Sequence, residues 1–218
     1  MRTFLFLLLF SWGLQAQVYE FTTTDAEGTQ LQHRNLMDCE YIVETVYAKN
    51  PARFVKTLGG FYTRKGNKIE AQLEFNSNFE NDQQKSMTWT LGEDWKKTSR
   101  PPLALNGKWL MAGRVNPEGG ERRRDLNRPR KTMKFLVDGH FQWIAFNTES
   151  FAFFGSGGGS YTAAEGAYTE NIEYFSRDNS RVGAALRFQY TQKGNDWYHK
   201  GKSSKGAPLH EIWSARKN

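Results

Sequence analysis

The chain has 218 residues and a formal net charge of +7; aromatic residues make up 15% of it, and it holds 20 glycines but only 6 prolines. That mixture favours strands and tight turns and argues against a helical bundle or a disordered chain. The single cysteine, Cys39, excludes an intrachain disulfide, so stability has to come from packing.

Residues 1–16 read as a cleavable secretory signal. Arg2 supplies the positive charge, Phe4 to Phe10 form a short apolar run, and Ala16 is a small residue suited to cleavage before Gln17. The run is far shorter than the roughly 20 apolar residues needed to cross a bilayer, and no later segment reads as a transmembrane helix. No cysteine follows the run, so a lipid-modified N-terminus is not expected, and the reading is a periplasmic or secreted protein. Without Arg2 the charge falls from +7 to +6, and most of it is scattered, as solubility requires.

The remainder divides into a first unit at 17–100, a linker at 101–106 opened by Pro101-Pro102, and a second unit at 107–218. In the second unit, alternation between turn signals predicts strands over Lys108–Val115, Lys131–Val137, His140–Asn147, Phe151–Gly155, Gly159–Ala163, Tyr168–Phe175, Ala184–Thr191, Asp196–Gly201 and Leu209–Ser214. Asp138-Gly139, Glu165-Gly166, Asp178-Asn179-Ser180 and Lys193-Gly194-Asn195 supply turns. Such a succession of short hairpins predicts an all-β fold, an antiparallel up-and-down barrel whose closure removes exposed sheet edges.

The units align on each other at an offset near 100. Leu36 falls on Leu136, Asp38 on Asp138 and Tyr41 on Phe141. Further along, Gly59-Gly60-Phe61-Tyr62-Thr63 falls on Gly158-Gly159-Ser160-Tyr161-Thr162, then Gly66 on Gly166, Glu70 on Glu170, Phe75 on Phe175, and Trp95 on Trp197. A tandem repeat is the economical explanation, with the first copy incomplete. It lacks an obvious counterpart of Leu209–Ser214, unless Lys96 to Arg100 serves as a shortened last strand.

Gly107-Lys108-Trp109 opens the second unit and Trp213-Ser214-Ala215-Arg216 closes it. This pattern resembles the lipocalin superfamily, and the resemblance implies that Trp109 lies across the barrel floor with Arg216 packed on its indole face. A closer likeness is to uncharacterised secreted bacterial proteins with tandem lipocalin-like, calycin-type domains. It is carried by Arg130-Lys131-Thr132-Met133-Lys134, Phe141-Gln142-Trp143-Ile144-Ala145, Gly157-Gly158-Gly159-Ser160-Tyr161-Thr162, Tyr168-Thr169-Glu170-Asn171-Ile172-Glu173 and Ser176-Arg177-Asp178-Asn179-Ser180-Arg181-Val182-Gly183-Ala184. That resemblance implies a fold and export, and no activity.

Candidate chemistry follows from strand parity. Tyr168, Glu170, Ile172 and Tyr174 share one face of their strand, and Glu173 points to the other, so the two acids do not form a hydrolytic carboxylate pair without a bulge. Trp143, Tyr168, Glu170, Tyr174, Phe188, Tyr190 and Trp197 are the candidate ligand-binding wall, with His199 and Trp213 as further wall residues. The same residue types would fill a solid core. Phe141, Trp143 and Ala145 share one face of their strand, opposite Gln142, Ile144 and Phe146, so both faces carry large apolar groups; one face could line a barrel and the other pack on the sister unit. Gly155 to Gly159 lacks the Gly-Lys-Ser/Thr of a phosphate loop and reads as a flexible hairpin or bulge. Arg122, Arg123, Arg124, Arg128 and Arg130, with Lys131 and Lys134, form a basic loop that could take an anionic glycan, lipid or protein. No stacking aromatics interleave these arginines, which argues against nucleic acid. The four histidines show no metal-ligand spacing and no nucleophile elbow occurs, so no metal, cofactor or catalytic residue is assigned. The reading is a noncatalytic binding protein holding a small apolar or amphipathic ligand. The alternative is an interaction module acting through its surface and basic loop, and an enzyme acting through Glu170 comes third.

Overall fold

A computed structural model of the protein describes residues 16–98 and 101–217, so the signal reading lies outside the described residues except at Ala16. Seven strands build an open antiparallel sheet: β1 (Gln17–Thr24), β2 (Gln30–Met37), β3 (Tyr41–Lys49), β4 (Ala52–Lys65), β5 (Lys68–Asn76), β6 (Ser86–Thr90) and β7 (Lys96–Thr98). Nine more follow: β8 (Gly107–Val115), β9 (Glu121–Arg123), β10 (Arg130–Val137), β11 (His140–Asn147), β12 (Phe153–Ala164), β13 (Ala167–Phe175), β14 (Ala185–Lys193), β15 (Asp196–Lys202) and β16 (Pro208–Ala215). Strands β10 to β16 neighbour one another in chain order, and β8 pairs with both β16 and β10. The fold is therefore all-β, with a closed eight-stranded antiparallel barrel and a second, open sheet.

Turn chemistry explains why the barrel strands fall where alternation places them. Asp138 and Gly139 have φ of 45° and 77°, and Glu165 and Gly166 have 49° and 80°. Both central residues are left-handed, as a two-residue hairpin on right-twisted strands requires. The glycine run corrects one expectation. Phe153–Gly155 and Gly159–Ala163 belong to the single strand β12, so the glycine run is no hairpin; of the two readings it is the bulge that holds, with register shifts at Phe154 and at the Gly158/Gly159 step.

The open sheet runs β6-β5-β4-β3-β2-β1-β7, and the barrel, from β14, runs β14-β13-β12-β11-β10-β8-β16. The first is the second with no partner for β15. Lys96–Thr98 pairs with β1 as β16 pairs with β8, so it takes the place of the last strand, and the sheet stays open between β6 and β7. Local detail recurs too. Bulges place Val55 opposite the Val46/Tyr47 step and Phe154 opposite the Ala145/Phe146 step, and others place Glu74 opposite Gly59/Gly60 and Glu173 opposite Gly158/Gly159. Positions 55 and 154, and 74 and 173, are both 99 apart, one less than the offset that set Glu70 on Glu170. In strands of period two, one residue is a change of face. Glu70 is exposed and bonded to Lys68, Glu170 is buried, and Ala71 is the residue in the equivalent register.

The outer face of the barrel packs on the open sheet. Ile144, Phe146, Met133 and Phe135 form one buried cluster with Val18, Leu36, Val43 and Phe75. Buried Gln142 lies in the same contact, accepting from Thr45 Oγ1 at 2.7 Å and donating to Thr57 Oγ1 at 2.8 Å and Ser156 Oγ at 2.9 Å. All three amide-side contacts of Gln142 are thus satisfied away from water, as a buried amide requires. Ion pairs frame the contact: Arg34 with Glu20 and Glu173, Lys108 with Asp38 and Glu40, and Arg216 with Glu74.

Arg216 corrects a second expectation. Ala215 packs toward the barrel interior, so alternation sends Arg216 outward. Its guanidinium holds Glu74 through two hydrogen bonds of 2.7 and 2.8 Å and lies over Tyr41 and Phe61, not over Trp109. Trp109 stays inside and donates its indole N–H to Leu105 O at 2.8 Å. The linker closes that end of the barrel instead: Leu103 and Leu105 pack into the core, and Tyr161 donates to Asn106 Oδ1 at 2.6 Å.

Candidate functional site

The barrel interior is part core and part cavity. Around Trp109, Leu136, Phe141, Tyr161, Trp197 and Trp213 it is solid, but further along a cavity of about 220 Å³ is lined by side chains of β10, β11, β13, β14, β15 and β16. Thr132, Ser203 and Ser204 supply hydroxyls, while Trp143, Ile172, Phe175, Leu186, Phe188 and Leu209 supply the apolar wall.

Inside it, Lys134 from β10 meets Glu170 from β13 in an ion pair, each residue 4% exposed. Glu170 also accepts from Tyr168 Oη at 2.8 Å. The ammonium sits 5.1 to 5.9 Å from the ring centres of Trp213, Tyr168, Trp197 and Phe188, within reach of cation–π attraction from each. Such a pair survives burial only because charge, hydrogen bond and ring faces together replace lost hydration.

His199, 2% exposed, stands beside the pair with its ring 3.9 Å from that of Phe188. Its Nδ1 is 3.6 Å from Glu211 Oε2, too long for a hydrogen bond, and among the described residues neither ring nitrogen has a hydrogen-bond partner. Burial, and then the charge of Lys134, push His199 down to about 4. For Glu211, burial works upward, but His199, Lys134 and Arg114 together hold the carboxyl below its usual range. The imidazole is therefore neutral at neutral pH, with one nitrogen a donor and the other an acceptor.

The linkage has a definite sign. Unfolded, His199 titrates near 6.5 and binds a proton that the folded protein refuses until about 4. Stability is then constant above the unfolded value and falls by about 3 kcal/mol as pH drops from about 6.5 to about 4. Urea denaturation across that window should show this slope, and His199→Gln should flatten it. Carboxylates with lowered values lose their contribution only below about pH 4.5, beneath most of the window.

Of the seven expected wall residues, Trp143, Glu170 and Phe188 line the cavity. Tyr168 and Trp197 lie beside the lysine. Tyr190 packs on the solid core, with its ring 6.4 Å from that of Trp197. Tyr174 does not belong there. The bulge at Glu173 shifts the alternation, so that Phe175 faces the interior while Tyr174 packs on Tyr47 of the open sheet at 4.8 Å. Lys134 was grouped with the basic loop, yet it alternates inward with Thr132 and Leu136. A lysine between Met133 and Phe135 in an otherwise apolar run was the available signal.

The basic loop is partly ordered as strand: β9 pairs with Gly113–Val115 of β8. Arg122, Arg123, Arg124, Arg128 and Arg130 converge on a second cavity of about 510 Å³, next to the first and sharing Thr132 with it. Among the described residues no group of three or more His, Cys, Asp or Glu side chains is arranged to hold a metal ion, and no helix is long and apolar enough to cross a membrane. Comparison of the chain with protein-family models and with curated proteins returns no match in either.

Proposed function

We propose that the chain is an exported, noncatalytic binding protein whose barrel holds a small amphipathic ligand in the cavity beside Lys134, Glu170 and His199. The observation that carries this reading is His199: a buried imidazole on the wall of a mainly apolar cavity, with Nε2 unpartnered and Nδ1 facing Glu211 Oε2 only at 3.6 Å. A buried polar group left unpaired costs about 1–3 kcal/mol, which a ligand hydroxyl or carbonyl would recover. At about 220 Å³ the cavity is smaller than the roughly 300–1,000 Å³ of drug-sized sites, so the ligand is small, with a short apolar body and one polar end. Export is supported by the character of residues 1–16, and duplication of one β unit by the recurring bulges and strand order.

The test uses 1-heptanol, heptanoate and indole with the full chain. At least one should raise the unfolding temperature saturably, and Leu186→Trp, which fills the cavity, should abolish that rise while leaving the unliganded protein folded. Absence of any shift with all three probes, or a shift unaltered in Leu186→Trp, would overturn the reading.

A further inference from the structure

The second cavity is independent of that reading. It opens where β8 and β10 part company: their pairing covers only Gly107–Leu110 against Met133–Leu136, and beyond it the segment carrying β9 folds across the gap. Arg114, Arg122, Arg124, Arg128, Arg130 and Lys131 line it together with Arg123, and Asp125 is the one acid among the lining residues. Several of these charges are committed. Arg123 is held by Glu121 and Asp196, Lys131 donates to Leu126 O, and Arg130 lies over the Phe154 ring. The side chains of Arg122, Arg124 and Arg128 make no ion pair or hydrogen bond among the described residues, although the Arg124 backbone N–H donates to Ala112 O at 2.7 Å.

Cations gathered round one concavity with a single carboxylate repel one another. Burial, then Arg177 outside the cavity and Arg124 within it, lower Arg130; burial, then Arg216 outside the cavity, lower Lys131 against the opposing pull of Glu74 and Asp125. A bound anion would relieve that repulsion, and guanidinium forks match the paired oxygens of phosphate or sulfate better than a lone carboxylate would. Size narrows the class. About 510 Å³ is the space of roughly seventeen waters at about 30 Å³ each, far more than one inorganic phosphate fills.

We propose that this cavity is a second binding site, for a sugar-sized molecule carrying several phosphate or sulfate esters. Isothermal titration of the full chain with inositol hexakisphosphate and sucrose octasulfate tests it, with inorganic phosphate as the minimal probe and phosphatidylglycerol vesicles as the surface probe. The expected result is one-to-one binding of a polyester at least tenfold tighter than phosphate, weakened by salt. Arg124→Gln/Arg128→Gln should cost at least a further tenfold with the unfolding midpoint unchanged, whereas Lys200→Gln/Lys202→Gln, which removes as much exposed charge elsewhere, should not. Lys134→Met/Glu170→Leu should leave the polyester affinity intact even where it abolishes binding in the barrel cavity, so the two sites stand or fall separately. Equal losses in the arginine and lysine pairs would mean unspecific charge attraction, and binding to vesicles alone would mean a membrane surface. Either outcome overturns the proposal.

Discussion

Lys134→Met is expected to destabilise the protein by about 3–5 kcal/mol, and Glu170→Leu by a similar amount, because each leaves one buried charge without its partner. The partners lie on β10 and β13, both 4% exposed, and neither can turn to solvent without abandoning the strand alternation that buries its neighbours. After loss of the lysine, Glu170 keeps one donor, the Tyr168 hydroxyl; after loss of the acid, Lys134 keeps the ring faces and the more distant Glu211 carboxylate, with no hydrogen-bonded counter-ion. The double replacement Lys134→Met/Glu170→Leu should recover most of the loss, since apolar groups of similar volume often match or exceed a buried pair in stability. Urea denaturation of the three variants gives the coupling directly. Additive losses in the double variant would show that the two side chains do not act as a pair.

The pair also bears on function. In the equivalent registers of the open sheet, Asn35 stands for Lys134 and Ala71 for Glu170, so that sheet has no corresponding charge pair. An ion pair that merely stabilised a β unit would have had two places to occur. Its presence at these registers in the closed barrel and not in the open sheet, beside the cavity and His199, adds support to the proposed site.

Strand positions in the barrel were legible because the turns are chemically explicit. His140–Asn147 was bounded by Asp138-Gly139 on one side, and its inward Phe141 and Trp143 and outward Gln142, Ile144 and Phe146 pack as alternation predicts. What alternation does not carry across is a bulge. Tyr174 was assigned to the lumen by counting in twos from Tyr168, and the extra residue at Glu173 turned it round. The off-by-one alignment of Glu70 with Glu170 arises instead at the turn, where Gly66 was matched to Gly166 although it takes the place of Glu165; matching glycines and acids by type cannot detect a slip of one residue. Arg216 was misplaced for a different reason: the open sheet offers it a carboxylate, Glu74, that is distant in sequence. The cavity itself depends on how large side chains meet across the barrel, which no one strand records.

The bulge that misled the alternation is also where the chain is least tolerant. A Cβ added to Gly159 would lie 1.9 Å from Asn171 O, and one added to Gly60 would lie 1.9 Å from Gln72 O. The obstacle in each case is backbone in the neighbouring strand, so no rotamer change relieves it. Gly159→Ala and Gly60→Ala are each expected to cost about 4 kcal/mol or more, or to prevent soluble expression, which is far beyond the ordinary effect of a surface substitution. Gly206→Ala is the control: its φ of 82° is strained for alanine, yet nothing lies within 4 Å of the added Cβ, so the cost should be about 1 kcal/mol. Guanidinium denaturation of the three variants ranks them, and similar midpoints for Gly159→Ala and Gly206→Ala would sink the packing claim. The consequences of Gly159→Ala reach beyond its own strand. The close approach at Gly159 sets the bulge, and the bulge aims Glu173 at Arg34 and Tyr47 and aims Tyr174 at Tyr47. Opening it would loosen the contact between barrel and open sheet while turning Phe175 away from the cavity wall. The glycine thus couples the integrity of the interface to the shape of the candidate site.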